Sequence, residues 1–190
     1  YQIELKNMEQ IEDNDIRSYL QQALKDTKNP HYANLTLYED SLLWIGRQYQ
    51  KKHIRYVEIS DTTLVKKDRS AAYMLEQIHH ILPLVKEETG VDIRFLAAIR
   101  RIPLTLVKDN ITAGNYLTEA IQALKVVCRD PYVVGSDFVG EEINDIGELK
   151  AVIREIITKM ASEDKNWTVR IHAGENDSLK SNMAKAIDLV

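Results

Sequence analysis

A histidine and a glutamate lie three residues apart, at His172 and Glu175, where an apolar stretch runs into a glycine. Before them, Val169 and Ile171 alternate with polar residues, which predicts a short buried strand that stops at Gly174. A neutral imidazole can bind a metal ion, and a nearby carboxyl group can move a proton. In a parallel α/β protein, chemistry is placed at this carboxyl end of a strand. On these residues alone, the alternative is a hydrogen-bonded core histidine followed by a glutamate that caps the next helix.

Three more strands are predicted upstream, and each of the four strands is followed by a helix. The strands are expected at residues 54–60, 93–99, 132–139 and from Trp167, and the helices at about residues 36–51, 69–89, 113–127, 146–160 and from 178. Pro83 predicts a kink or a break in the second helix. Strands that alternate with helices in this way indicate a parallel sheet. The expected fold class is therefore α/β, either a small doubly wound sheet or part of a (β/α)8 TIM-type barrel of about four strand–helix units.

Polar residues recur where each predicted strand ends. They are Glu58, Ser60 and Asp61, then Arg100 and Arg101, then Asp137, Gly140, Glu141 and Glu142, and finally His172 and Glu175. A barrel would bring these residues onto one rim. Asp137 lies within an apolar run, where a buried carboxylate requires a partner. Arg100 and Arg101 could bind phosphate, but an ion pair with Glu58 or Asp137 is the favoured use of either. The alternative for the rim is that loops are polar in any case and that Glu141 and Glu142 solvate a turn.

The composition limits the class of protein. The chain has 190 residues, of which 44% are hydrophobic and 28% charged, as expected for a soluble globular domain. The net charge of −4 argues against a general nucleic-acid binder or a protein of anionic membranes. The single cysteine cannot form an internal disulfide, so a cytoplasmic location is expected. No Gly-x-Gly-x-x-Gly or Walker-type loop follows a strand, which leaves a nucleotide-phosphate site of the open-sheet type unsupported.

The two ends of the sequence suggest a piece of a longer protein. The chain begins with Tyr1 and stops at Val190, directly after an apolar segment. We interpret residues 1–35 as a helical N-terminal segment and residues 36–190 as the central portion of a barrel. Four units alone would expose two sheet edges and much apolar surface. The isolated chain is therefore expected to be inactive, and to associate with itself or with missing segments of the parent protein.

Four stretches, taken together, match the motifs of one known family. His172-Ala173-Gly174-Glu175 is the first. Residues 133–142 (Val-Val-Gly-Ser-Asp-Phe-Val-Gly-Glu-Glu) resemble the strand Val-Val-Gly-x-Asp-Leu-Ala-Gly-Asp-Glu, and residues 55–59 resemble Arg-Tyr-Val-Glu-hydrophobic. Residues 90–103 are similar to the strand between these two. In this order and near this spacing, over roughly residues 40–190, the chain resembles the adenosine and AMP deaminases of the metal-dependent amidohydrolase superfamily.

The resemblance implies a (β/α)8 barrel with one catalytic metal, usually zinc, and hydrolytic deamination of adenosine or an adenine nucleotide. It implies that His172 is a metal ligand and that Glu175 protonates the purine ring nitrogen next to the attacked carbon. Gly140 would offer its backbone amide to another ring nitrogen, and Asp137 would support substrate binding on the same rim. A metal activates water for such an attack, and a protonating carboxyl group requires a dry pocket.

The chain also departs from the family pattern. It has no His-x-His pair, which supplies two metal ligands on the family's first strand, and it stops before the later histidine and aspartate ligands. His172 is then the only recognisable ligand, and one histidine does not hold zinc. One alternative is a catalytically inactive barrel that binds a nucleoside or nucleotide, or serves in assembly. Another is a complete doubly wound binding domain, in which His172, Asp137 and Glu175 would lie on different faces.

Overall fold

The computed structural model describes residues 35–65, 68–101, 114–143 and 145–190 of the chain. Its helices are α1 (Leu35–Lys51), α2 (Asp68–Thr89), α3 (Gly114–Val127), α4 (Lys150–Glu163) and α5 (Asn182–Ile187), and its strands are β1 (Tyr56–Asp61), β2 (Asp92–Arg100), β3 (Val133–Val139) and β4 (Thr168–Ile171). The predicted N-terminal helical segment lies outside the described residues. None of the described helices combines the length and the apolar composition that crossing a bilayer requires.

Contacts divide the chain into two units, and the smaller one contains α1 and residues 80–91. A Cβ atom on Gly46 of α1 would lie 2.5 Å from Cγ1 of Val85, so glycine allows the two helical segments to approach closely. Arg47 Nε donates to Glu88 Oε1 at 2.5 Å on the surface of this unit. Gly90, with φ +69°, takes the left-handed conformation that follows the end of a helix.

The larger unit, residues 56–79 and 92–190, contains the sheet. All four strands are parallel, and they lie in the order β1-β2-β3-β4. The central strands β2 and β3 are almost entirely buried, as their near-continuous apolar runs predict. The expectation of an α/β chain with a parallel sheet and successive strand–helix units is therefore confirmed. Strand boundaries agree with the sequence prediction to within two residues at most ends.

The predicted buried character of β4 is wrong. Its side chains alternate between exposed and half-buried, because among the described residues it pairs with β3 alone and forms an edge of the sheet. The predicted break at Pro83 does not occur, since α2 continues through that residue. Residues Ile146–Leu149, expected to open an α-helix, form a 3-10 turn, and α4 begins only at Lys150.

The register of the strands gathers one set of side chains on one face of the sheet. Asp137 on β3 is the ladder partner of Ala98 on β2 and of Arg170 on β4, so these three residues share a face. We call this the polar face. Neighbouring Phe138 points to the opposite face and is completely buried. At Gly135 a Cβ atom would lie 2.2 Å from the carbonyl oxygen of Thr168, so only glycine permits β4 to pair here.

Candidate active site at the carboxyl ends of β3 and β4

Asp137 is the centre of a cluster on the polar face. Its side chain is completely buried, and its Oδ2 accepts a hydrogen bond of 2.5 Å from the hydroxyl of Ser60 on β1. The same oxygen lies 3.3 Å from Nε2 of His172 and 3.7 Å from Nη1 of Arg170. Its Oδ1 is buried without a hydrogen-bond partner among the described residues. The expectation that this carboxylate needs partners is confirmed, since Ser60, His172 and Arg170 surround its other oxygen.

His172 stands between two carboxyl groups. Its backbone amide donates to the carbonyl oxygen of Phe138, which extends the β3–β4 ladder by one step. On the ring, Nε2 faces Asp137 and Nδ1 lies 3.4 Å from Oε1 of Glu175. His172 is therefore not a core histidine, and its side chain is 39% exposed. Glu175 does not cap the following turn, because Asn176 does so by accepting from the amide of Ser178.

The described residues do not enclose Glu175. Its side chain is 55% exposed, so the dry pocket that a protonating carboxyl group requires is not formed by this part of the chain. Oε2 of Glu175 also lies 4.0 Å from Nη2 of Arg101. Exclusion of water around this carboxyl group would have to come from a bound substrate or from further polypeptide.

The cation beside Asp137 is not the one that the sequence pointed to. Arg170 lies 3.2 Å from Oε2 of Glu58 and also faces Asp137, and its side chain is 44% exposed. Arg101 instead lies near Glu142, with 3.7 Å between Nη1 and Oε1. The ion pair of Arg100 or Arg101 with Glu58 or Asp137 is thus wrong, because the ladder places Arg170 directly opposite Asp137.

Glu142 receives a set of donors from the segment that follows β4. Its carboxylate accepts from the amide of Gly174 at 2.9 Å, from the amide of Asn176 at 3.0 Å, and from Nδ2 of Asn182 at 2.9 Å. Burial alone would raise the pKa of this carboxyl group, but these hydrogen bonds outweigh it and lower the pKa to about 2. Glu142 is therefore a buried and ionised residue, not one that solvates a turn, whereas the preceding Glu141 is exposed.

Gly140 follows β3 with φ +99°, a conformation that favours glycine. A Cβ atom there would lie 3.8 Å from the backbone nitrogen of Arg101, so this turn lies beside the end of β2. The structure thus brings Asp137, His172 and Glu175 together and places Gly140 at the end of the strand that carries Asp137. Their assigned roles in binding and catalysis remain predictions.

Two donor atoms of the cluster fit a shared metal ion. Tetrahedral zinc bonds of about 2.0–2.2 Å put neighbouring ligand atoms about 3.3 Å apart. His172 Nε2 and Asp137 Oδ2 have this separation, 3.3 Å, and Oδ1 of the same carboxylate lacks a partner. Within the described residues, no three His, Cys, Asp or Glu side chains form a potential metal-binding group. The 3.3 Å separation is also that of a histidine–carboxylate contact, and the two residues would supply at most two of the three protein ligands that a catalytic zinc takes.

Comparison of the sequence with models of known protein families and with curated proteins finds no match. Sequence reasoning missed the roles of Glu142, Arg170 and Asn182. Arg170 carried a usable signal, because a charged residue two positions before His172 on a strand must share its face. Asn182 carried none, since its contact with Glu142 joins residues 40 positions apart.

Proposed function

We propose that this chain is the central part of a zinc-dependent enzyme that hydrolytically deaminates adenosine or an adenine nucleotide. The observation that supports the proposal most directly is the position of His172, with Asp137 Oδ2 at 3.3 Å from one ring nitrogen and Glu175 Oε1 at 3.4 Å from the other. If the His-Ala-Gly-Glu sequence were a coincidence, Asp137, His172 and Glu175 would have no reason to lie together. The resemblance to adenosine and AMP deaminases predicts that they do, because all three residues would serve one site.

The proposal includes a (β/α)8 barrel of which this chain forms four units. The sequential strand order supports it, because a doubly wound sheet reverses its order at a switch point and a barrel does not. The polar groups of the site follow the carboxyl ends of β3 and β4, which is where barrel enzymes carry their chemistry. The exposed edge of β4 would then receive the next strand of the parent protein.

Each residue has a specific task in this reaction. His172 and Asp137 would contribute to holding the metal, which when bound supplies an activated water near neutral pH. Glu175 would give a proton to the purine ring nitrogen beside the attacked carbon, since its carboxyl group borders the imidazole without being held by it. The Gly140 amide would orient the ring from the turn after β3. Ser60 keeps the Asp137 carboxylate in place through its 2.5 Å hydrogen bond.

Arg170 favours a second candidate function, a catalytically inactive barrel that binds a nucleoside or nucleotide or serves in assembly. Its guanidinium lies 3.7 Å from Asp137 Oδ2, where it supplies the positive charge that a metal would otherwise supply. A cation at this position opposes metal binding through like-charge repulsion. In this second case Asp137 and Arg170 would form an ion pair that lines a binding site and holds no metal.

The proposal is tested by ammonia release from adenosine, AMP and ATP. The assay uses the longest native chain that contains these residues, in three samples: unmodified, Glu175→Gln, and stripped of metal with a chelator. Turnover that falls at least about 100-fold in the Glu175→Gln and stripped samples is expected, as general acid–base catalysis contributes about 10²–10⁴-fold. The best of the three substrates then identifies the substrate class.

A matched control for the turnover assay is Glu141→Gln, which changes an exposed carboxyl group near the site and should keep full activity.

The metal content of the native protein separates the two candidate functions. Absence of turnover together with absence of stoichiometric zinc in the native protein would reject the enzyme and favour the inactive barrel. Turnover that persists in Glu175→Gln would show that the proton comes from another group.

A further inference from the structure

We propose that Glu142 and Arg101 are positioning residues that hold the backbone on both sides of Glu175, so that its carboxyl group faces His172. The consequence for catalysis rests on the proposed function, whereas the positioning itself does not. We call the two residues the anchor pair. No motif match assigned this task to either of them.

The contacts of the anchor pair bracket Glu175 along the chain. Before it, the guanidinium of Arg101 donates to the carbonyl oxygen of His172, and Glu142 accepts from the amide of Gly174. After it, Glu142 accepts from the amide of Asn176 through its second carboxylate oxygen. Three backbone groups within five residues are thus fixed by two side chains. The Glu175 side chain itself is left 55% exposed and able to meet a substrate.

Burial makes these contacts stronger than surface ion pairs. The side chains of Arg101 and Glu142 are 2% and 1% exposed, and Nη1 of one lies 3.7 Å from Oε1 of the other. At 3.7 Å the two side chains form an ion pair without a hydrogen bond between them. The charge-assisted hydrogen bonds are those that each side chain makes to the backbone, and such bonds are roughly twice as strong as neutral ones. Asn182 of α5 adds a further donor to Glu142 and accepts from the amide of Ile146, which ties the anchor pair to the two segments that follow.

Each residue of the anchor pair is preceded by an exposed residue of the same type, which can serve as a control in mutagenesis. Arg100 and Arg101 are adjacent, as are Glu141 and Glu142, and in both cases the first residue is exposed and the second buried. The same substitution made at the exposed first residue changes the side chain in the same way but outside the buried contacts of the second. Catalytic groups must be held within about 0.5 Å of their working geometry, so loss of the anchor is expected to impair Glu175 without removing it.

The positioning is tested by amide hydrogen exchange, which needs no activity. In the unmodified chain, the amides of Gly174 and Asn176 should exchange more slowly than their intrinsic rates. In Glu142→Gln they should exchange at least about tenfold faster, a change equal to about 1.4 kcal/mol. The amides of β2 should keep their rates in the variant, and Glu141→Gln should leave both sets unchanged. A Lys at position 101, in Arg101→Lys, should accelerate the same segment, while Arg100→Lys should not.

Several results would overturn the proposal. The first is fast exchange of the Gly174 and Asn176 amides in the unmodified chain, a measurement that does not depend on any variant folding. The second is equal acceleration of these amides in Glu141→Gln. The third is the same acceleration throughout β2 in Glu142→Gln. Where deamination is established, Glu142→Gln should lower kcat with KM unchanged, and Glu141→Gln should alter neither. Exchange as expected with no deaminase activity would keep the anchor pair and reject the proposed function alone.

Discussion

The hydroxyl of Ser60 on β1 donates a 2.5 Å hydrogen bond to Asp137 on β3, although β2 lies between the two strands. The residue of β2 opposite Asp137 is Ala98, whereas the residue of β2 opposite Ser60 is Leu96, so the bond crosses β2 diagonally. Because Asp137 is completely buried, this bond replaces water that its side-chain oxygen would otherwise bind. The hydrogen bond therefore links β1 to β3 across the intervening strand β2.

Ser60→Ala should lower the free energy of unfolding by about 1.5–3 kcal/mol, the usual worth of a hydrogen bond to a charged group. Urea denaturation at pH 7 measures the change. Ser181→Ala is the control, because that serine is exposed and its side chain makes no capping hydrogen bond. Equal stability of the two variants would mean that the Ser60 bond adds nothing to the buried carboxylate.

Gly135→Ala should separate β4 from β3, because the new methyl group would lie 2.2 Å from a backbone oxygen of Thr168. We expect a loss of about 3 kcal/mol or more in unfolding free energy, at the upper end of single substitutions. Gly147→Ala is the comparison, since its methyl group would lie 3.0 Å from Oδ1 of Asp145 and 3.8 Å from Cδ of Lys185, which are side-chain and not backbone atoms. Comparable losses in the two variants would contradict the close approach of the strands.

The stabilisation from Glu142 should depend on pH in a defined direction. Its pKa falls from 4.5 to about 2 on folding, so the unfolded chain takes up the proton first as the pH drops. The contribution is complete above about pH 4.5 and is lost as the pH falls towards 2. The stability gap between the unmodified chain and Glu142→Gln should therefore be widest at pH 6 and narrower at pH 3. Urea denaturation at both pH values tests this, and a constant gap would contradict it; Glu141→Gln serves as control.

Arg170→Met should tighten zinc binding about tenfold, which corresponds to about 1.4 kcal/mol. The substitution removes a positive charge 3.7 Å from Asp137 Oδ2 and keeps an apolar side chain of similar reach. Calorimetric titration with zinc of the longest native chain that contains these residues measures the affinity. Arg129→Met is the control, because Arg129 is 75% exposed and pairs with Glu163 away from the cluster. Unchanged or weaker binding in Arg170→Met would show that the guanidinium does not compete with the metal.

The spacing of apolar residues predicted the bounds of the helices and strands better than it predicted how buried each strand is. The strand at residues 93–99 and the helix at 69–89 were predicted almost to the residue, because apolar spacing reflects burial that the chain itself carries. The burial of β4 was overestimated for the same reason. Its Val169 and Ile171 have the pattern of a buried strand, but burial depends on what covers an edge, and the described residues do not cover this one.

The sequence predicted which residues form the site, but it did not predict which of them contact each other. Asp137, His172 and Glu175 were selected from residue type and position at strand ends, and the structure brings them together. The partner of Asp137 was assigned to the wrong arginine, because that choice depends on the register between β3 and β4. Glu141 and Glu142 have identical side chains, and only the turn after Gly140 decides which one is buried.

The sequential order of the sheet has a consequence for how the chain acquires its structure during synthesis. Within the described part of the chain, each strand pairs with its immediate neighbours in sequence, so β1 and β2 can join before β4 has left the ribosome. The pairing of β4 with β3 comes last, and it is the step that carries His172 to Asp137. A nascent chain can thus complete most of its sheet while these two residues are still apart. Translation arrest between β3 and β4 would leave Asp137 without the contacts that Arg170 and His172 make to it.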